Sequence, residues 1–432
     1  MSSWELKKLS EVADIIGGAT PKSDVDEYFN GDIPWITPKD LSGYKNRYIS
    51  KGERNITKLG LENSSAKLLP KGAVLFTSRA PIGYVAIADN EVSTNQGFKS
   101  LVLKDGNIPE FFYYLLKHNI PLFEARATGS TFKEVSGQVV KNTELLIPSI
   151  DIQKKIVDLV SPLDEKIELN TQINQTLEQI AQTIFKSWFI DFDPVHAKAN
   201  ARASGQTAEQ ATQAAMAVIS GKNTQELHRL QTANPEQYQQ LWEIAEAFPS
   251  GFDEEGVPRG WEERYLKDVC NIVYGKGLPK NKLTEKGFYV FGANGVIGFY
   301  DSYTYEKPQV LIGCRGTVGQ VTLSYPYSFV TNNSLVIEYE NSCVSMYYLE
   351  KYLSNINLKE ISSGSVQPQI TIQNMSKVKI LIPNIEILNF YSEKVKEIYD
   401  KRLHHFYENQ SLSKVRDLLL PKLLSGEILN GN

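Results

Sequence analysis

Basic side chains in polar company are the first groups in this sequence that could do chemistry. Between Lys39 and Lys71 stand Lys39, Lys45, Arg47, Lys51, Arg54, Lys58, Lys67 and Lys71 against Asp40, Glu53 and Glu62. A smaller excess, Lys276, Lys280, Lys282 and Lys286 against Glu285, lies in the second half. Such patches can hold phosphates by charge, or they can be solvated loops and nothing more. The formal net charge of the whole chain is −4, so any such role is local.

Groups for covalent or metal chemistry are not assembled in this way. FGANGVIG is glycine-rich but lacks the GxGxxG spacing of a dinucleotide-binding turn. No P-loop, HExxH, CxxC pair or nucleophile elbow occurs. Asp191 and Asp193 of DFDP could be imagined as metal ligands, yet read more simply as a solvated helix stop. His404 and His405 are adjacent, hence on different faces of a helix, and cannot ligate together as an i, i+4 pair. Cys270, Cys314 and Cys343 are odd in number, widely spaced and without His at ligand spacing. They point to a reducing compartment, taken as the cytoplasm, and against disulfides or zinc. MSSWELKKLSEV is charged too early to read as a secretory signal, and no run of eighteen apolar residues suggests a membrane span. The expectation is a catalytically silent chain with no metal site.

The residues are positioned by an internal duplication, the first thing to look for in a chain of 432 residues with room for two or three domains. One constant offset places Gly129–Ser130 on Gly364–Ser365, LLIPSI on ILIPNI, and NQTLEQIAQTIFK on NQSLSKVRDLLLPK. Upstream, with small gaps, VLFTSRAPIG matches VLIGCRGTVG, which sets Arg79 on Arg315. STNQGFKSLVL matches VTNNSLVIEY, with Thr94 and Asn95 on Thr331 and Asn332. WELKKLSEVADIIGG opens the first copy and WEERYLKDVCNIVYG the second. Each copy therefore reads as a mixed α/β lobe, a loop containing Ile-Pro, and a long helix.

The helices follow from periodicity. Ile167, Asn170, Asn174, Leu177, Ala181, Ile184 and Trp188 step by three and four, with Ile173 and Ile180 widening the stripe. Tyr391, Val395, Ile398, Leu412 and Leu419 keep a similar register, interrupted by Arg402, His405 and Asn409. Pro148 and Pro383 mark the starts, because proline is tolerated before a helix and not inside one. A helix of roughly 35–40 residues is about 50–60 Å long. Two such helices bury their narrow stripes most simply against each other, as an antiparallel coiled coil in a chain with pseudo-twofold internal symmetry. Asn174 and Asn409 then either fix the register at the seam or face solvent. Residues 197–259 read as a helical insertion or linker, with partial disorder possible over its weakly apolar part. Two unlike lobes on a rigid spacer suggest measurement of distance, each lobe reading one short DNA element.

In this order and in duplicate, these motifs resemble the specificity (S) subunit of type I restriction–modification systems over nearly the whole chain. The most specific parts are WELKKLSEVADIIGG, DIPWITPKDL, the LIP–long-helix segments and FPSGFDEEGVPRGWEE. The resemblance implies α/β (α+β) target recognition domains in tandem, at 1–148 and 260–383. They are separated by the family's two conserved long helices at 149–196 and 384–432. It also implies an asymmetric, bipartite double-stranded DNA target and docking of two methyltransferase (M) subunits, joined by restriction (R) subunits. Those partners would carry S-adenosylmethionine, ATP and Mg2+, and the chain itself would bind no cofactor. Exposed polar loops are the places to look for DNA contacts. These are Lys22, Thr37, Lys39, Lys45, Arg47 and Arg54 in the first lobe, and Lys276, Lys280, Asn294 and Gln369 in the second. Arg and Lys can pair with guanine, and Asn and Gln with adenine. Arg79 and Arg315 recur in both lobes, which fits a shared backbone contact or a structural pairing. Trp4, Trp35 and Trp261 are expected in the core or in lobe–helix packing. Ile173, Leu177, Ile180 and Ile184 are expected in the helix–helix core, beside a face left for a partner. Two other classes remain open, a coiled-coil scaffold with two diverged binding lobes and no DNA, and a self-contained DNA methyltransferase or nuclease.

Overall fold

Each repeat begins and ends in a two-stranded ribbon. Trp4–Lys8 pairs antiparallel with Glu144–Pro148, Trp4 opposite Pro148. Glu262–Tyr265 pairs antiparallel with Lys379–Ile382, Glu262 opposite Ile382. The computed structural model describes residues 4–129, 133–364 and 367–428, so Ser130 and Ser365 of the repeat alignment lie outside the described residues. The chain divides into two compact units, 1–172 with 405–432, and 173–404.

Between its ribbon strands the first lobe carries a five-stranded sheet in the order Ala13–Gly17, Lys99–Leu103, Val74–Ser78, Ile82–Ala88 and Tyr48–Ile49. A second sheet orders Arg54–Ile56, Phe29–Ile36 and Ser93–Thr94. Val74–Ser78 is buried throughout, as expected of a central strand covered on both faces. The helix Pro109–His118 follows the last strand and buries Phe111, Phe112 and Leu116 completely. The second lobe repeats this plan. Its four-stranded sheet orders Asn271–Tyr274, Ser334–Glu338, Val310–Gly313 and Val321–Leu323. Its three-stranded sheet orders Gly295–Tyr300, Phe288–Gly292 and Phe329–Val330. Trp4, Trp35 and Trp261 are all buried. The mixed α/β tandem is therefore observed.

The two long helices are Ile150–Phe189 and Ile385–Leu424, each of 40 residues. Within each unit their segments pair antiparallel. In the first, Asn170 Nδ2 donates to Asn409 Oδ1 at 2.8 Å and Arg416 Nη1 to Asp164 Oδ1 at 2.6 Å, while Lys166 pairs with Glu408. In the second, Asn174 Nδ2 donates to the Arg402 carbonyl at 3.1 Å, and Glu178 accepts from Arg402 and from the buried Lys351. Asn174 and Asn409 thus both make seam hydrogen bonds. Burial opposes the charge of Glu178, but Lys351 and Arg402 hold its carboxyl below the ordinary value.

Two expectations need correction. Pro162 and Pro421 lie inside the long helices. Around Pro162 the buried Val160, Ser161 and Asp164 anchor the turn, so packing carries the helix through a missing N–H. Ile180 is 44% exposed, whereas Ala181 and Phe185 are fully buried. A straight helix drifts from a strict seven-residue repeat, and by this point the buried stripe has moved one position on. Ile167, Ile173, Leu177, Ile184, Ile398, Leu412 and Leu419 are half-buried along the flank of that stripe.

After the first long helix come Asp193–Ala203, Ala208–Ser220, Thr224–Ala233 and Pro235–Ala247. Their starts are written in the sequence. Thr207 with Gln210, and Asn223 with Glu226, form capping boxes. The buried Lys198 donates to the carbonyls of Ala245, Glu246 and Phe248, where the last of these helices ends.

Candidate nucleic-acid interface

In the first lobe, the strand Val74–Ser78 delivers Arg79 to the edge of the sheet. Ser78 is pinned on both sides: its N–H donates to Gly97 O at 2.8 Å, and its carbonyl accepts from Val135 N at 2.9 Å. Val135 follows a short hairpin in which Thr128 and Glu134 exchange backbone hydrogen bonds of 3.0 and 2.9 Å. The hairpin sets Glu134 beside Arg79, with Nη1 to Oε2 at 3.5 Å, and Lys99 reaches the other carboxylate oxygen at 3.7 Å. Arg79 forms one wall of a cavity of about 840 Å³ also lined by Thr37, Lys39, Pro81, Asn95 and Lys133. Thr37 Oγ1 donates to Asp40 at 2.6 Å, and Lys39 pairs with Glu53 at 2.6 Å in an exposed bridge.

The second lobe builds the same device from different side chains. Val310–Gly313 leads through the buried Cys314 to the exposed Arg315. Ser363 and Gln369 exchange backbone hydrogen bonds of 2.9 Å in both directions, and Ile370 N donates to Cys314 O at 3.1 Å. Arg315 Nε then donates to Gln369 Oε1 at 3.3 Å. At the position of Glu134 there is an amide. Among the described residues, no carboxylate lies within ion-pair range of Arg315. Lys276 belongs to the same edge, its carbonyl accepting from Asn332 N at 3.1 Å, while Arg315 N donates to Asn333 O at 3.4 Å. Gly275 is required there, because a Cβ would lie 2.3 Å from the Thr331 carbonyl; Gly18 in the first lobe faces the same restriction from Thr94 and Asn95.

The remaining expected contacts are scattered. Lys22 is exposed in the turn after the second strand, and Lys280 is exposed in the short turn Lys280–Lys282. Asn294 is exposed in the hairpin between Phe288–Gly292 and Gly295–Tyr300. Lys45 lines a separate cleft of about 340 Å³ with Tyr44, Tyr113, Lys117 and Arg416. Arg54 is exposed but stacked, its guanidinium 4.3 Å from the Phe29 ring centroid and 5.9 Å from that of Trp35. Arg47 corrects the expectation of an exposed reader. It is 2% exposed, and its guanidinium is consumed by Glu168, Glu165, Ser161 and Tyr114. It ties the loop to the first long helix.

Sequence reasoning passed over Asn95, Lys133, Glu134, Asn332 and Asn333. The recurrence of Thr-Asn in both copies was a usable signal for Asn95 and Asn332, and the constant offset already pairs Glu134 with Gln369. Lys133 carries no pattern. As for other chemistry, Asp191 forms an ion pair with Lys186. Among the described residues no cluster of three or more His, Cys, Asp and Glu could hold a metal ion, and no helix is long and apolar enough to cross a membrane.

The type I restriction modification DNA specificity domain matches twice, over residues 1–179 and 258–415. The HindI type I restriction enzyme specificity subunit of Haemophilus influenzae is 36% identical over 94% of this chain and 100% of its own length. The MjaIX specificity subunit of Methanocaldococcus jannaschii is 31% identical over 98% of this chain and 93% of its own length. In fold, the chain resembles the type I restriction–modification S subunit of M. genitalium, with a TM-score of 0.55 and 18% identity, covering 97% of this chain and 96% of that one. Two lobes of one plan, each matched by the same domain, and near full-length likeness to two specificity subunits lead to one statement: the chain belongs to the type I restriction–modification DNA specificity family.

Proposed function

We propose that this chain reads an asymmetric, bipartite site on double-stranded DNA, one element per lobe, and docks two methyltransferase subunits and the restriction subunits that act there. The observation that carries the reading is the duplicated edge. Arg79 and Arg315 leave equivalent strands beside equivalent hairpins, yet the side chains around them differ. A shared scaffold with unlike polar groups is what two readers of unlike sequences need. Arg79, Arg315, Thr37, Lys39, Asn294 and Gln369, with Lys22, Lys45, Arg54, Lys276 and Lys280, are the candidate contacts. The long helices supply docking surfaces and set the number of unread base pairs between the two elements. The chain is non-catalytic in this reading and works in the cytoplasm. S-adenosylmethionine, ATP and Mg2+ belong to the partner subunits, which methylate adenine or cleave unmodified DNA.

The test is to express the chain with its methyltransferase partner and map methylated adenines across a genome. A single two-part motif with a fixed gap is expected, and methylation spread without sequence preference would refute the reading. Incubating the isolated chain with DNA, S-adenosylmethionine and Mg2+ should give neither methyl transfer nor cutting.

A further inference from the structure

The two arginines that recur in the lobes are held by side chains of opposite consequence. Glu134 and Gln369 occupy the same place, the last residue of a hairpin whose backbone bonds match one for one, with the next residue tied to the strand that bears the arginine. In the first lobe that residue is a carboxylate, shared between Arg79 and Lys99, so the arginine's charge is answered within the protein. In the second it is a neutral amide. Gln369 Oε1 takes only the Nε–H of Arg315. Among the described residues the guanidinium meets no carboxylate, and its two terminal amino groups are left over, in the fork that matches a pair of adjacent acceptors.

Resting on the reading proposed above, we infer that Arg315 is a specificity-determining residue that reads a guanine through its O6 and N7 edge, and that Gln369 is the positioning residue that aims it. A phosphate offers a similar acceptor pair. Phosphates lie along every DNA sequence, however, so a phosphate contact would be needed alike by both lobes, whereas this is a point at which the lobes differ. The aim is fixed in advance. Cys314 is fully buried, Ile370 is 1% exposed, and they are joined by a backbone hydrogen bond, so both functional side chains spring from anchored backbone.

The experiment maps methylated sites, and measures DNA affinity at several salt concentrations, for the methyltransferase complex carrying the wild-type chain, Arg315→Ala, Arg315→Lys or Gln369→Glu. Arg315→Ala should lose roughly 5- to 150-fold in discrimination at one G·C pair, in one half of the site only, with the other half unchanged. Gln369→Glu leaves the arginine in place but closes it into an ion pair like that of Arg79, and should relax the same base pair. A residue that merely supported the fold would not change a single letter of the motif. Arg315→Lys, which lacks the fork, should recover only part of the discrimination. The inference is overturned if Arg315→Ala and Gln369→Glu leave every letter of the motif intact. It is equally overturned if they weaken all sequences uniformly with a shallower salt dependence, the mark of a phosphate contact. A wild-type complex without any two-part motif would instead refute the functional reading itself.

Discussion

The two lobes meet their long-helix segments through different chemistry. In the first unit the apolar packing of Ile156 and Val160 against the lobe is joined by a charged network. Arg47 spans Glu165, Glu168 and Ser161, and Tyr114 donates to Asp164, which also holds Arg416. Burial and then Asp164 raise the pKa of the Tyr114 phenol, so it stays a donor. In the second unit one buried ion pair, Lys351 with Glu178, sits beside a contact that is otherwise aromatic. Phe189 lies 5.0 Å, ring centre to ring centre, from Tyr348 and 5.9 Å from Trp261 of the lobe, and 5.0 Å from Tyr391 of the other long helix. The duplication kept strand order and hairpins while the chemistry of the lobe–helix contact diverged. Topology tolerates either solution, because one buries aromatic surface and the other pairs the charges it buries.

That contrast can be broken most forcefully in the aromatic cluster. Phe189→Ala should destabilise the second unit by about 3–5 kcal/mol, as other buried phenylalanine truncations do. Hydrogen exchange in that unit would report it, with little change in the first. Arg47→Met should cost the first unit about 2–3 kcal/mol, less than the loss of one partner from a fully buried pair. The discount comes from Glu165, whose side chain is 64% exposed and keeps its hydration. An Arg47→Met chain with unchanged exchange in the first unit would show that the polar contact is ornamental.

A smaller effect concerns acid. Glu178 has its pKa lowered by Lys351 and Arg402 against the cost of burial. Its stabilisation is therefore present above the unfolded carboxylate pKa and fades as pH falls through the lower folded value. Glu178→Gln should lower the stability of the second unit near neutral pH and flatten its loss between neutral and acid, read from unfolding midpoints at a series of pH values. Smallest of all, Asn223→Ala removes one cap of the helix Thr224–Ala233 and should cost about 1 kcal/mol locally.

Much of this architecture is legible in the sequence. The periodicity marks both long helices, the Ile-Pro pairs mark where they begin, though at ribbon strands and not in loops, and the duplication gives the lobes. Buried ionic contacts are not legible. Arg47 stands in a run of basic residues and looks like its neighbours, because Glu165, Glu168 and Ser161, which bury it with Tyr114, lie more than a hundred residues away on the first long helix. Ile180 fits the heptad by spacing alone, yet drift of the stripe turns it outward. The site was half readable. Aligning the copies brings Arg79 to Arg315 and Glu134 to Gln369, but only the hairpins show that each arginine meets its own partner.

The ribbons that open and close each lobe have a wider consequence. Because Trp4 lies opposite Pro148 and Glu262 opposite Ile382, the chain enters and leaves each lobe through adjacent strands. Each lobe is thus a cassette with its two ends side by side. Genetic exchange across one ribbon can replace a whole lobe while the receiving chain preserves its own backbone on either side, so that, under the function proposed above, a new target specificity would need a single recombination step.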